Sequence, residues 1–357
     1  MPIKKIEGQE AKNFDFQEKW NILGPYLKEN GRGCMSYSTL QPGLEYFIDE
    51  NIGYIAYQTL RNPIRFWKTK KVALADPIAP KEEYAKLLEK FYENQGQFLF
   101  LQSTYDFAKI LSEFGCKVNR LGIETELDIS SSFDISGKKR SKLRQWRNKV
   151  NRAGVHIVEQ DISDVDPTQI DRVCQDWLQK KGHKEMSFLT RPLVNYKNGQ
   201  EGQADPSQVY PSEPDVRYFW AWQDDKLIAM SAFDPMYKGD EIFGYYHNID
   251  RRLNENPHGT GASLVIEAAR KFSQEGIKVL SLGMSPLHFE NEHFDCNGLF
   301  SKISKGMYKK CEFIYPFKGN YTHKKKFNGF EKPIYLSSSN GNGLSEVYAT
   351  LRTIDIF

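Results

Sequence analysis

None of the five cysteines, Cys34, Cys116, Cys174, Cys296 and Cys311, pairs with another in a CxxC unit, and they are odd in number and widely spaced. That pattern argues against a zinc site or a disulfide framework and fits free thiols in a reducing compartment. No stretch approaches the roughly 20 apolar residues that span a bilayer, and the opening MPIKKIEGQEAKNFDF lacks the apolar core of a signal peptide. The expectation is a cytoplasmic protein without a transmembrane segment. A Ser nucleophile elbow, an HExxH, a Walker loop and a strand-borne GxGxxG are all missing too, which argues against the common hydrolases, zinc proteases, NTPases and dehydrogenases. The net charge of only +3 gives no global field, so any basic site must be local.

What remains is material for a large core. A length of 357 residues suits two packed units of ordinary size, and 39% hydrophobic with 13% aromatic residues suits an α/β protein with aromatic-lined clefts. The first half predicts a helix over Phe16 to Leu27, strands in LEYFIDENIGYIAYQTL broken at Asn51 and Gly53, and a buried strand KKVALADP ended by Pro77. A helix from Lys81 to Asn94, the strand QFLFLQ, a Ser-capped helix from Ser103 to Phe114 and the strand GIETELDI near a sheet edge follow. The second half repeats the plan. Ile170, Val173 and Trp177 form one stripe of a helix over Asp166 to Lys180; RYFWAWQ, DDK and LIAMSAFDP read as a hairpin; EIFGYYHNI, the helix ASLVIEAARKFSQEG and the strand KVLSLGM come next. Polar stretches from Pro192 to Pro214 and from Ser337 read as surface loops, the second preceding a terminal helix.

Four groups of residues could carry chemistry. In NPHGTGASLVIEAAR, His258, Gly259 and Gly261 open a helix whose N–H groups and dipole suit an anion; a plain turn using glycine for steric reasons is the alternative. GKKRSKLRQWRNKVNRAG carries Lys138, Lys139, Arg140, Lys142, Arg144, Arg147, Lys149 and Arg152 without an acid, with Leu143, Trp146 and Val150 anchoring a helix that Gly154 ends. Such a stripe suits a phosphate-rich partner, an anionic lipid surface, or merely a solvated link. YPFKGNYTHKKKFNGF interleaves Lys318, Lys324, Lys325 and Lys326 with aromatics, as a phosphate-binding and base-stacking surface or as a lysine-protected edge strand. YYHNIDRR and SLGMSPL offer His247, Asn248, Asp250, Arg251 and Ser285 at strand ends beside the glycine loop.

The loop His258, Gly259, Gly261 and Leu264 is similar to the acyl-CoA loop of GNAT enzymes. In order along the chain, ADPI, LGIETELDISSSFDISGKKRSKLRQWRNKVNRAGV, WLQKKGHKEMSF, SLGMSPL and YPFKGNYTHKKKF resemble the landmarks of the catalytic domain of lysylphosphatidylglycerol synthases. The resemblance implies two tandem GNAT-like α/β domains with mixed sheets flanked by helices, over residues 1–136 and 155–357, joined by a basic helix over 137–154. It implies transfer of an amino acid from aminoacyl-tRNA to phosphatidylglycerol or a related acceptor, without a metal or a further cofactor, at a location that includes the inner membrane face as a peripheral site. Lys324 and Lys326 would hold phosphate, Arg251 would take the place of the Arg in the family's DLMR strand, and Glu185 would help recognise the amino acid. The Asp of that strand is Asn248 here, and the Asp after the loop glycine is Ala262, which leaves open a different amino acid or acceptor.

Because an aminoacyl ester is already activated, the protein need only orient the reactants and stabilise charge. Arg251 and Lys326 are the candidates for stabilising charge, His247 or Asp250 for accepting a proton, and Asn248, Glu185, Lys324, Ser285, His258, Gly259, Gly261, Arg144, Arg147 and Arg152 for binding substrate. The competing readings are an acyl-CoA N-acyltransferase and a non-catalytic module that binds RNA or anionic lipid.

Overall fold

The computed structural model describes residues 3–7, 11, 14–61, 69–181, 188, 190–195, 209–288, 294, 298–310, 317–340 and 344–353. The first run of elements is β1 (Ile3–Ile6), α1 (Phe16–Asn30), β2 (Glu45–Asp49), β3 (Gly53–Arg61), β4 (Thr69–Leu74), α2 (Tyr84–Gln95), β5 (Phe98–Ser103), α3 (Tyr105–Glu113) and β6 (Lys117–Asp128). After α4 (Ser141–Arg152) come β7 (His156–Glu159), α5 (Pro167–Lys181), β8 (Arg217–Gln223), β9 (Lys226–Lys238), β10 (Glu241–Arg252), α6 (Thr260–Gln274) and β11 (Val279–Pro286). The chain closes with α7 (Gly298–Lys310), α8 (Phe317–Lys325), β12 (Phe330–Ser338) and α9 (Leu344–Thr353).

The twelve strands of the described residues join one mixed sheet in the order β1-β2-β3-β4-β5-β12-β6-β11-β10-β9-β8-β7. Read inward from either end, the pairings repeat: three antiparallel steps, one parallel step (β4 with β5, β10 with β11), then one antiparallel step onto β12 or β6. β6 and β12, paired antiparallel at the centre, thus lie across from the run of strands that precedes each in sequence.

Helices flank the sheet because each has one apolar stripe to bury. One core collects residues from both runs, with Leu23, Tyr54, Leu74 and Leu99 alongside Ile170, Trp220, Met230 and Ile249. A second lies beneath α2 and α3, and a third holds Leu143 and Val150 of α4 against Leu264 and Phe272 of α6. Local chemistry fixes the ends: Asp15 and Glu18 form a reciprocal capping box on α1, and the β8–β9 turn uses Asp224 and Asp225 in the left-handed region its geometry requires.

Several sequence expectations need correction. GIETELDI lies at the centre of the sheet, which explains why β6 is buried over nearly its whole length. Ser103 ends β5, and the residue before α3 is Thr104, whose amide and hydroxyl donate to Asp76 at 2.9 and 2.6 Å. The lysine-rich FKGNYTHKK is helix α8, so the edge-strand alternative is excluded there. Ser337 and Ser338, read as loop, are buried in β12. Glu185, Tyr315 and most of the Pro192 to Pro214 stretch lie outside the described residues.

Candidate functional site

β10 and β11 run side by side for only three residue pairs, Gly244 to Tyr246 against Val279 to Ser281. Beyond that point each strand keeps its outer partner: β10 continues along β9, and β11 along β6. Both strands bulge where they part, β10 between His247 and Ile249 and β11 between Ser281 and Met284. A bulge re-aims side chains and bends the strand away from its neighbour. Gly283 makes the second bulge possible, since its φ is 72° and a Cβ there would stand 2.6 Å from the Tyr246 ring.

Helix α8 lies along β11 at this opening. Lys324 Nζ donates to the Met284 carbonyl at 2.8 Å, and Ser285 Oγ donates to Asn320 Oδ1 at 3.0 Å. His323 stacks on Trp146 at 5.7 Å and 16°, and His258 meets the same indole edge-on at 5.4 Å. Four separate segments of sequence therefore supply α8, α4, the loop before α6 and the strand ends.

Burial governs the charges here. It holds the Lys324 ammonium down to about 7, with Cys34 and Glu124 pulling the other way. It likewise holds His247 and His323 down to about 4, so both imidazoles are neutral at neutral pH; Asp250 opposes this, and Lys324 and Arg252 add to it. His247 Nε2 lies 3.0 Å from Ser231 Oγ, and its ring stacks on Phe233. A neutral, oriented imidazole can accept a proton.

The helix start behaves differently from the sequence expectation. Gly259 has φ 105°, and a Cβ on it would stand 2.5 Å from the Cβ of Trp146. At Gly261 a Cβ would meet Arg252 Nη1 at 2.9 Å and Asp250 Oδ1 at 3.1 Å. Both glycines therefore serve close approach by the protein's own side chains. The positive end of the α6 dipole faces the Asp250 carboxylate.

Other candidates separate from this group. Because side chains alternate across a strand, Arg251 points away from Asp250: its guanidinium stacks on Trp177 of α5 at 3.8 Å, only 5% exposed. Burial lowers it to about 10, against the pull of Cys174. Arg251 and the Gly259 turn thus occupy opposite faces of β10. Asn248, on the bulge, clamps the backbone of Arg191, accepting from its N–H at 3.2 Å and donating to its carbonyl at 3.0 Å. Arg191 is itself 1% exposed and bridges Asp234 and Glu213. Arg144 donates to the carbonyls of Ile135 and Gly137, Arg140 to that of Phe327, and Arg147 pairs with Glu267, so these cations tie α4 to its surroundings. Lys138, Lys139, Lys142, Lys149 and Arg152 remain exposed. Lys326 follows α8, partly buried, with its amide on His323 O.

Sequence reasoning missed His323, Arg252, Glu124, Ser281 and Asn320. His323 was read only as part of a basic run, and Glu124 alternates with Glu126 and Asp128 in β6 as the polar residues of an edge strand would, so its burial gave no signal.

A family model described as phosphatidylglycerol lysyltransferase, C-terminal, matches residues 26–337. The chain belongs to this family. A phosphatidylglycerol lysyltransferase from Staphylococcus aureus (strain MSSA476) is 24% identical over 362 residues, covering 96% of this chain and 39% of its own length. One from Staphylococcus xylosus is 28% identical over 321 residues, covering 87% of this chain and 34% of its own length. The chain therefore spans well under half of these relatives. Among solved structures, L-PGS from Bacillus licheniformis superposes with a TM-score of 0.71 at 19% identity, covering 93% of this chain and 95% of that one. FemX superposes with a TM-score of 0.52 at 10% identity, covering 98% and 99%. These likenesses show the fold. Among the described residues no helix is long and apolar enough to cross a membrane, and no group of three His, Cys, Asp or Glu residues is placed to hold a metal.

Proposed function

We propose that this chain is an aminoacyltransferase that moves an amino acid from aminoacyl-tRNA to phosphatidylglycerol or a related hydroxyl acceptor at an anionic membrane surface. We read the inward-repeating strand order as two GNAT-like halves that exchange their sixth strand, joined through α4. Family membership supports a transferase; the observation that favours a donor other than acyl-CoA is the filled helix start. Trp146 stands 2.5 Å from where a Cβ on Gly259 would lie and Asp250 3.1 Å from one on Gly261, which we read as leaving no room for a pyrophosphate. An anion brought there would also meet a carboxylate.

In this reading the acceptor oxygen attacks the ester carbonyl and the bond to the tRNA ribose oxygen breaks. His247 takes the acceptor's proton, the leaving oxygen receives one in turn, and Lys324 and Lys326 hold phosphate beside the reacting groups. Arg251, on the far face, acts on the strand that carries His247. The exposed Lys138, Lys139, Lys142, Lys149 and Arg152 meet the tRNA backbone, which makes binding salt-dependent.

The test is incubation with total charged tRNA and phosphatidylglycerol vesicles, followed by mass spectrometry for newly aminoacylated lipid. Transfer that falls at least about 100-fold in His247→Ala and in Lys324→Ala supports the reading. No aminoacylated product from any tRNA, together with a rise in melting temperature on adding acetyl-CoA, would replace it with the acyl-CoA alternative.

A further inference from the structure

Glu124 lies on β6, 6% exposed, with Met284 of β11 across from it on one side and Lys332 of β12 on the other. A carboxylate in that position needs partners. Ser281 Oγ donates to its Oε1 at 2.5 Å, and the same Ser281 Oγ accepts from the N–H of Gly283 at 3.1 Å. These two bonds pin the extra residue of the β11 bulge. The carbonyl immediately beyond it, Met284 O, is the one that receives Lys324 Nζ at 2.8 Å. Cys34 shares a hydrogen bond with Glu124 as well. Lys332, the other cross-strand neighbour, is engaged with Glu126 at 2.6 Å.

We propose that Glu124 is a positioning residue for Lys324: through Ser281 it fixes the bulge that presents the Met284 carbonyl to the amine, and its carboxylate supplies the counter-charge that keeps that amine an ammonium. This rests on Lys324 being the phosphate-holding group described above. The groups that bear on Lys324 are Cys34 before β2, Glu124 on β6, His247 on β10 and its neighbour His323 on α8. With both histidines neutral and burial raising the Cys34 thiol well above its ordinary range, the carboxylate is the charge left to act on the amine. Burial raises Glu124 above the ordinary carboxylate range, Ser281 opposing, while it lowers Lys324. The window in which both are charged is therefore narrowed from both sides: the ammonium is lost as pH rises through about 7, and the carboxylate is lost at a higher pH than usual as pH falls.

The protonation of Lys324 can be read directly in the whole chain by competitive labelling with a trace of acetic anhydride across pH, quantified by mass spectrometry. In Glu124→Gln the labelling midpoint should fall by about one pH unit, while Glu126→Gln leaves it in place. Ser281→Ala, which keeps the carboxylate but removes its donor, should move the midpoint the same way by less, and it serves if Glu124→Gln does not fold. The alkaline limb of the kcat profile should follow the labelling midpoint and disappear in Lys324→Arg. A midpoint that shifts in a chain showing no transfer upholds the pairing while sinking the functional reading. A midpoint unmoved in both Glu124→Gln and Ser281→Ala, with transfer intact, overturns the pairing alone.

Discussion

Replacing Gly259 with Ala tests whether the helix start is built for the protein's own packing. The alanine would have to adopt φ 105°, outside the regions open to L-residues, and its Cβ would stand 2.5 Å from Trp146 Cβ and 3.0 Å from Trp146 Cα. Left-handed backbone costs about 1–2 kcal/mol for a residue with a Cβ, and forcing extra volume into a packed contact costs about 1–3 kcal/mol more. A loss of about 2–5 kcal/mol is expected, a large share of the roughly 5–15 kcal/mol that holds a typical protein folded. Urea unfolding at constant m-value measures it. The closest obstructing atom is the Cβ of residue 146, so Trp146→Ala should relieve Gly259→Ala little, whereas Trp146→Gly should recover most of the steric share. A double-mutant cycle with Trp146→Gly then gives a favourable coupling of about 1–3 kcal/mol. Gly259→Ala within about 0.5 kcal/mol of the parent, or a cycle that is simply additive, would refute the argument and return the loop to the list of open anion sites.

Removing Arg191 leaves Asp234 and Glu213 buried without their cation, so Arg191→Met should cost about 3–5 kcal/mol; the triple change that also makes Asp234→Asn and Glu213→Gln should recover part of this in the same urea assay. His247 and His323 are held down to about 4 in the folded protein, against 6.5 for an ordinary imidazole. The unfolded chain therefore binds more protons as pH falls, and each histidine contributes up to about 3 kcal/mol that is present above pH 6.5 and lost by about pH 4. Urea midpoints measured across that range should flatten in His247→Gln and in His323→Gln; an unchanged slope in both would mean that the rings are not held neutral by burial.

Much of the local structure was legible because it rests on short-range rules. The strands around Asn51 and Gly53, the hairpin at Asp224 and Asp225, and the helix bearing Ile170, Val173 and Trp177 follow from period and turn chemistry alone. The centre of the sheet was not, because the position of β6 depends on β12, a strand some two hundred residues away that carries Pro333 and a polar end. The candidate site divided in the same way. Of the residues singled out from the sequence, Asp250 and Lys324 both bear on the charge of His247. Which face each side chain takes was invisible: the bulge at Asn248 sets Arg251 toward Trp177, and nothing in YYHNIDRR announces an extra residue in the ladder. Arg144 and Arg147 looked like binding groups because a sequence shows charge and not the carbonyls of Ile135 and Gly137 or the carboxylate of Glu267 that receive it.

The parting of β10 from β11 links these levels. Each strand keeps its outer ladder on both sides of its bulge, so the strands stay fixed where they separate from each other. The backbone groups along the two inner edges must then find other partners, since buried amides and carbonyls are rarely left alone. Lys324 at the Met284 carbonyl is one such partner, while on the outer side Leu287 extends the ladder with β6, its amide reaching the Leu121 carbonyl at 2.7 Å. In the proposed reading, groups already aligned by the sheet would orient the acyl group before it reacts. On that view the rigid parts of the site are the two bulges, and the adjustable part is the charge on Lys324, which is why a substitution at Glu124, outside the reacting groups, should move the pH dependence.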